Sequence, residues 1–280
     1  MLNDDQVGFF KEFGFLVFRR LLSDREVEQI GKEAESAAAK IYGDQPGGPQ
    51  GKWVPLLGNA TPFNSSLLED PRFYAIALEV FDEALIGVNT DMLFWQGDTG
   101  WHRDLDVPGN TGLKIIYYLD ALRAENGALR VVPGSHIEPH ETEVPEVEPL
   151  ILSTDDTDYQ EKIRGLTRAA GDKMLPSVVV ESEPGDVVAF EMPLLHSSFG
   201  GAPDRRLGAT VYWYPSPTEA QAEARRQEVR AIHSNHKRMF EFPLDEPYCH
   251  PDWIAGAAGN PVRSRWVECL KELEWIPDSG

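Results

Sequence analysis

SVVVESEPGDVVAFEM, residues 177–192, holds two runs rich in β-branched residues on either side of Pro184-Gly185-Asp186. Val and Ile fit the pleated surface of a sheet, and Pro-Gly-Asp is turn chemistry. The stretch therefore predicts two strands joined by a tight turn. The same grammar continues in both directions. TDMLFWQ (90–96), GLKIIYYLD (112–120), ALRVVPGSH (128–136) and RLGATVYWYP (206–215) each read as a strand closed by a turn. Many short strands with Gly/Pro turns point to a sandwich or jelly roll.

Helices flank this β region. Residues 3–13 predict a short helix capped by Asn3 or Asp4 and ended by Gly14, and FLVFRR (15–20) a strand. Ser23-Asp24-Arg25-Glu26 is a capping box, and the helix it opens runs to about Ile41. GDQPGGPQGK (43–52) is loop by composition, and a further helix is expected over 219–241. The expected organisation is one domain: a helical and strand support (1–87), a β core (88–215) and a helical C-terminal extension (216–280). Within the core, 138–176 stands apart, acidic at first (EPHETEVPEVEP) and then polar and helical in pattern (TDYQEKIRGLTRAAG). An insertion of that length between strands is expected to be a lid beside a site.

The chain has 280 residues, 41% of them hydrophobic and 26% charged, as in ordinary globular proteins. Its net charge of −20 argues against nucleic acid and anionic membranes as partners. A small-molecule substrate is expected instead, handled by a monomer or homodimer. Two cysteines, Cys249 and Cys269, make no disulfide framework. MLNDDQVGFF has no signal-peptide pattern, and no uncharged run reaches the roughly 20 residues of a membrane span. A cytoplasmic protein is the expectation.

Trp101-His102-Arg103-Asp104 is the candidate metal motif. On extended backbone, residues two apart point to the same side, so His102 and Asp104 reach one ion together. His196, in LLHSSFGG beyond the strand DVVAFEM, is the best third ligand. Two imidazoles and a carboxylate form the facial triad of non-haem Fe(II) oxygenases. Three protein ligands leave room for a bidentate co-substrate and O₂. His-x-Asp alone is a weak signal, and its bland reading is a strand histidine near a surface acid. Arg206 adds weight: placed at the start of a strand, its forked guanidinium suits a carboxylate. Ser198 can add a hydroxyl to the same carboxylate. A metal triad with such a clamp fits a 2-oxo acid.

These segments, in this order, resemble the phytanoyl-CoA dioxygenase family, which includes ectoine hydroxylase and many natural-product oxygenases. FGFLVFRRLLSDREVEQI (13–30) resembles its N-terminal helix–strand–helix, and WHRD its W-H-x-D segment. Strand 112–120 with ENGALRVVPGSH (125–136), EPGDVVAFEMPLLHSS (183–198) and Asp204-Arg205-Arg206 follow the family's later motifs. The resemblance implies a double-stranded β-helix (jelly roll, cupin-like) that uses Fe(II), 2-oxoglutarate and O₂ to hydroxylate an unactivated C–H bond, releasing succinate and CO₂. It carries over His102, Asp104 and His196 as ligands, and Arg206 with Ser198 on the distal carboxylate of 2-oxoglutarate. The step from His196 to Arg206 is one residue shorter than in the family, which makes Arg205 the competing clamp. Ser197 stands where the family often has Gly. Lys114 is expected to bind an oxoglutarate carboxylate or a substrate anion, against a snorkelling surface lysine. Gln96 is expected to face the co-substrate.

Halogenating relatives lack the carboxylate ligand, so Asp104 favours hydroxylation over other outcomes, with desaturation, epoxidation or cyclisation as variants. The acidic chain offers no basic groove for an acyl-CoA, so a free metabolite or natural product is the expected substrate. The rival readings are a non-catalytic jelly-roll binding protein and a zinc hydrolase on the same ligands. Of the remaining residues, Trp95, Trp101 and Trp213 are pocket candidates, with core packing expected for at least two. Arg103 is expected to turn away from the metal into a salt bridge, and His136 to fix its turn. His233 and His236 are expected to face solvent.

Overall fold

The computed structural model describes residues 2–81, 84–95, 97–105, 110–137, 175, 177–201, 205–216, 218–243 and 249–276. The expected lid lies almost wholly outside these residues, and so does Gln96.

Helix α1 (Asp4–Phe13) is capped by Asn3, whose side chain accepts from the Gln6 amide, and ends on Gly14 in the left-handed conformation. Strand β1 (Phe15–Phe18) follows, then α2 (Asp24–Tyr42) behind the Ser23/Glu26 capping box. Each box satisfies N-terminal N–H groups that a helix cannot satisfy internally. Next come β2 (Gly51–Pro55), α3 (Pro62–Leu67) and α4 (Pro71–Phe81). The β core consists of β3 (Ile86–Trp95), β4 (Thr99–His102), β5 (Gly112–Tyr118), β6 (Leu129–Val131), β7 (Val178–Val180), β8 (Val187–Glu191), β9 (His196–Ser198) and β10 (Arg205–Trp213). Helices α5 (Glu219–Phe240), α6 (Pro251–Ala255) and α7 (Pro261–Glu272) complete the described chain.

The strands form two antiparallel sheets, a six-stranded one in the order β1-β8-β5-β10-β3-β2 and a four-stranded one in the order β4-β9-β6-β7. This is the jelly roll expected from the strand pattern, in the double-stranded β-helix form that the family resemblance implies. The two runs of SVVVESEPGDVVAFEM are strands, but β7 belongs to the small sheet and β8 to the large one. Pro184-Gly185-Asp186 is thus a corner between sheets. Gly185 holds a φ of +94° there, and Asp186 accepts from the amides of Glu183 and Arg20 and from the Arg19 guanidinium.

Side-chain alternation gives the large sheet two different faces. The outer face packs under the helices: Met92 and Tyr212 lie in one cluster with Leu68, Phe73 and Trp266. The Tyr212 hydroxyl donates to the Leu68 carbonyl at 2.9 Å. The face towards the small sheet carries Ile116, Val188, Phe190 and Ala209, packed with Leu129, Val131 and Val180. That apolar plug closes one end of the sandwich. Beside it the same face opens into a cavity. No helix among the described residues is long and apolar enough to cross a membrane.

Candidate metal centre and its cavity

The two histidines meet because their strands do. β4 pairs with β9 in a register that sets His102 opposite His196. The imidazole centroids are 4.1 Å apart. In each ring Nδ1 lies against a local carbonyl, Gly100 for His102 (2.9 Å) and Leu194 for His196 (2.8 Å). Both Nε2 atoms are therefore turned to the same point, the arrangement that orients imidazole ligands in metal sites. The backbone just past β4 is tied to Met192, whose carbonyl accepts from the Asp104 amide at 2.9 Å. This places the Asp104 carboxylate 3.6 Å from His102 Nε2 and 3.7 Å from His196 Nε2. One donor atom from each residue lies within 4.8 Å of the other two.

Protonation suits ligation too. Burial, then the neighbouring His102, push His196 down to about 3, so its ring is neutral. Burial opposes ionisation of Asp104, but Lys114, His196 and His102 outweigh it and hold the carboxyl well below its usual range. A neutral imidazole and an ionised carboxylate are the forms a divalent cation binds. This donor set fits Fe(II).

Lys114 is no surface lysine. It points inward from β5 and its Nζ lies 3.0 Å from Asp104 Oδ2. Arg103, expected in a salt bridge, donates to the carbonyls of Ser135 and Pro193. His136 sits under Gly14, with Nε2 3.3 Å from the Lys11 carbonyl and 3.6 Å from Glu191.

The expected clamp requires a correction. Arg206 faces the outside, where it pairs with Asp120 (2.6 Å) and Glu35 (3.2 Å). Of the two, it is Arg205 that lines the cavity. It is 4% exposed and donates to the Gly127 carbonyl (2.7 Å) and the Ser198 hydroxyl (3.1 Å). The reason is strand parity: Arg205, Leu207, Val211 and Trp213 of β10 share the cavity face, and Arg206 falls on the other. Ser198, expected beside Arg206, is buried and within reach of the Arg205 guanidinium instead.

The cavity holds about 300 Å³ and runs from the triad along β3 and β10 to helix α5. Trp95 and Trp213 line it and also belong to the main packed core, so packing claims them as expected. Trp101 packs instead with Val132 and Leu195. His236 is a second correction. It stacks on Trp53 with centroids 4.2 Å apart and lines the cavity, because α5 lays one face across the opening. His233 packs against Trp275 at 5.3 Å. Sequence reasoning missed Trp53, Asn89 and Asp91, which also line the cavity. The available signal was polar residues at alternate positions in GVNTDMLFW, a strand in which Asn and Asp are disfavoured.

A protein-family model described as phytanoyl-CoA dioxygenase (PhyH) matches residues 10–206. The chain is 26% identical over 153 residues to an ectoine dioxygenase of Bordetella bronchiseptica, a match covering 48% of this chain and 50% of that one. It thus spans about half the length of the curated relatives it matches. Among solved structures, HygX from Streptomyces hygroscopicus, with nickel and 2-oxoglutarate bound, is similar at a TM-score of 0.56 and 20% identity, over 77% of this chain and 88% of that one. The α-ketoglutarate-dependent carbocyclase SnoK from nogalamycin biosynthesis is similar at 0.54 and 22%, over 76% and 84%. At such identities the structural likeness concerns the fold.

Proposed function

Because this chain belongs to the phytanoyl-CoA dioxygenase family, we propose that it is an Fe(II)- and 2-oxoglutarate-dependent oxygenase that hydroxylates a C–H bond of a small metabolite or natural product. The observation that carries the proposal is the convergence of His102, Asp104 and His196 at one end of a cavity that also holds Arg205. His102 Nε2, His196 Nε2 and the Asp104 carboxylate would hold the iron. Bound there with 2-oxoglutarate, the iron supplies O₂ activation coupled to release of succinate and CO₂.

The chain's own residues supply the rest. Arg205 and Ser198 receive the distal carboxylate of 2-oxoglutarate, the guanidinium through two N–H groups and the serine through its hydroxyl. Gly127 and Ser198 already fix the guanidinium, so little side-chain entropy is lost on binding. Lys114 donates to Oδ2 of Asp104 and fixes the angle of that carboxylate. Trp95, Trp213 and Met192 line the path to the metal with apolar surface and keep water from the reacting carbon.

Hydroxylation is the reaction favoured by an intact carboxylate ligand. SnoK, described as a carbocyclase, supports ring formation as the second reading on the same fold. With Fe(II), 2-oxoglutarate, O₂ and an accepted substrate, the purified protein should form succinate, and His102→Ala should not. Succinate formation supported equally by Zn(II), or undiminished in His102→Ala, would sink the proposal. Anaerobic addition of Fe(II) and 2-oxoglutarate should give a visible charge-transfer band, which a non-catalytic binding protein would not show.

A further inference from the structure

The wall of the cavity formed by β3 and the start of β2 carries polar groups that the metal chemistry leaves unused. Asn89 and Asp91 lie two residues apart on the inward face of β3. Asp91 is 7% exposed. Its Oδ2 accepts from Trp53 Nε1 (3.1 Å) and from Asn89 Nδ2 (2.6 Å). Its Oδ1 is buried and has no partner. Since the Asn89 amide nitrogen is committed to Asp91, its oxygen is the atom left over, and it too is buried without a partner. Two open acceptors thus stand on two head groups that are hydrogen-bonded to each other. A third, Gln50 Oε1, lies farther along the same wall, just before β2.

A buried acceptor without a partner costs roughly 1–3 kcal/mol. Such groups persist where a ligand satisfies them. We infer that this wall is a subsite for a neutral, hydroxyl-bearing ring compound, a cyclitol or glycoside, whose adjacent hydroxyls donate to Asp91 Oδ1 and Asn89 Oδ1. Gln50 takes a hydroxyl farther along the ring system. The inference rests on the oxygenase reading in one respect: this compound is then the molecule oxidised.

The charges favour a neutral ligand. Burial pushes the Asp91 carboxyl up to about 6, opposed by the Trp53 N–H and then by the positive charge of Lys114, so at neutral pH it is ionised and already has a cation acting on it. An anionic ligand would meet the carboxylates of Asp91 and Asp104 on either side of Lys114, whose ammonium is bound to Asp104. On the same sheet face Leu93, Trp95, Val211 and Trp213 add apolar surface that suits ring C–H groups.

The test uses the full chain without iron. Tryptophan emission is followed while myo-inositol, methyl glucoside, cyclohexylammonium, cyclohexanecarboxylate or cyclohexanol is added to millimolar concentration. Trp53, Trp95 and Trp213 in the cavity wall report occupancy. At least one of the two polyols should bind, and more tightly than the three monofunctional probes. Asp91→Asn is the informative variant. Its amide oxygen would face Trp53 and Asn89 and its NH₂ would replace the open acceptor with a donor, so polyol affinity should fall tenfold or more. If Asp91→Asn does not fold, Asn89→Leu removes the neighbouring acceptor and should show the same loss. Preference for cyclohexylammonium or cyclohexanecarboxylate overturns the inference, as does equal polyol binding in wild type and variant, or no polyol binding. The anaerobic Fe(II) and 2-oxoglutarate band is read separately. Its presence without polyol binding overturns the subsite alone, whereas its absence overturns the oxygenase reading.

Discussion

Arg205 and Arg206 are adjacent and chemically identical, and the backbone gives them opposite surroundings. Arg205 is buried against Ser198 and Gly127, while Arg206 is a partly exposed member of an ion pair with Asp120 and Glu35. Exposed pairs contribute about 0–1 kcal/mol, so Arg206→Ala should leave the KM for 2-oxoglutarate within about twofold. Arg205→Ala removes the guanidinium proposed to hold the co-substrate carboxylate and should raise that KM by roughly 10- to 100-fold. Steady-state succinate formation over a range of 2-oxoglutarate concentrations separates the two, and the opposite ranking would return the clamp to Arg206. The motif spacing left both arginines open. Strand parity decides between them, because Arg205 shares the inward face with Leu207, Val211 and Trp213. The candidate metal ligands were legible for another reason: His-x-Asp is weak alone, but WHRD and EPGDVVAFEMPLLHSS stand in the order of a known family's motifs.

The elements explain how distant residues are held at this accuracy. Gly127 has a φ of +101°, and a Cβ there would stand 2.0 Å from Arg205 Nη1. Gly127→Ala is therefore expected to displace the guanidinium and raise the KM for 2-oxoglutarate, beyond its effect on Tm. An unchanged KM with a lowered Tm would confine Gly127 to a backbone role. Gly208 shows the packing counterpart on β10, where a Cβ would meet the Tyr117 ring at 2.0 Å. Strands and capped helices were legible because alternation, β-branched runs and the Ser23/Glu26 box are local signals. Sheet membership was not. Nothing in SVVVESEPGDVVAFEM says that its two strands enter different sheets, since that depends on pairings with β6 and β5 far along the chain. Strand β2 was hidden by the Gly/Pro-rich run before it, and its pairing with β3 supplies the order that composition withholds.

At the scale of the molecule, helix α5 lines one side of the cavity, and His236, like Glu228, is a titratable contact it makes there. Burial, then the charges of His233 and Lys114, push His236 down to about 3. Its unfolded-state value is near 6.5, so above that pH neither state binds the proton. As pH falls from about 6.5 towards 3, the unfolded chain takes up a proton that the folded ring excludes, and stability is lost. His236→Phe keeps an aromatic ring on Trp53 and removes this titration. Its metal-free form should lose less stability than wild type between pH 6.5 and 4, by up to roughly 3 kcal/mol. Urea unfolding at each pH reads the difference, and parallel pH profiles would show that the ring titrates freely. The net charge of −20 conceals this local picture, because Lys114 and Arg205 bring positive charge to the cavity itself.

The most direct test of the account is anomalous diffraction at the iron edge from crystals grown without oxygen in Fe(II) and 2-oxoglutarate. The account predicts one iron peak within bonding distance of His102 Nε2, His196 Nε2 and an Asp104 oxygen, with the distal carboxylate of 2-oxoglutarate on Arg205. An iron peak elsewhere, or a co-substrate carboxylate held away from Arg205, would contradict it.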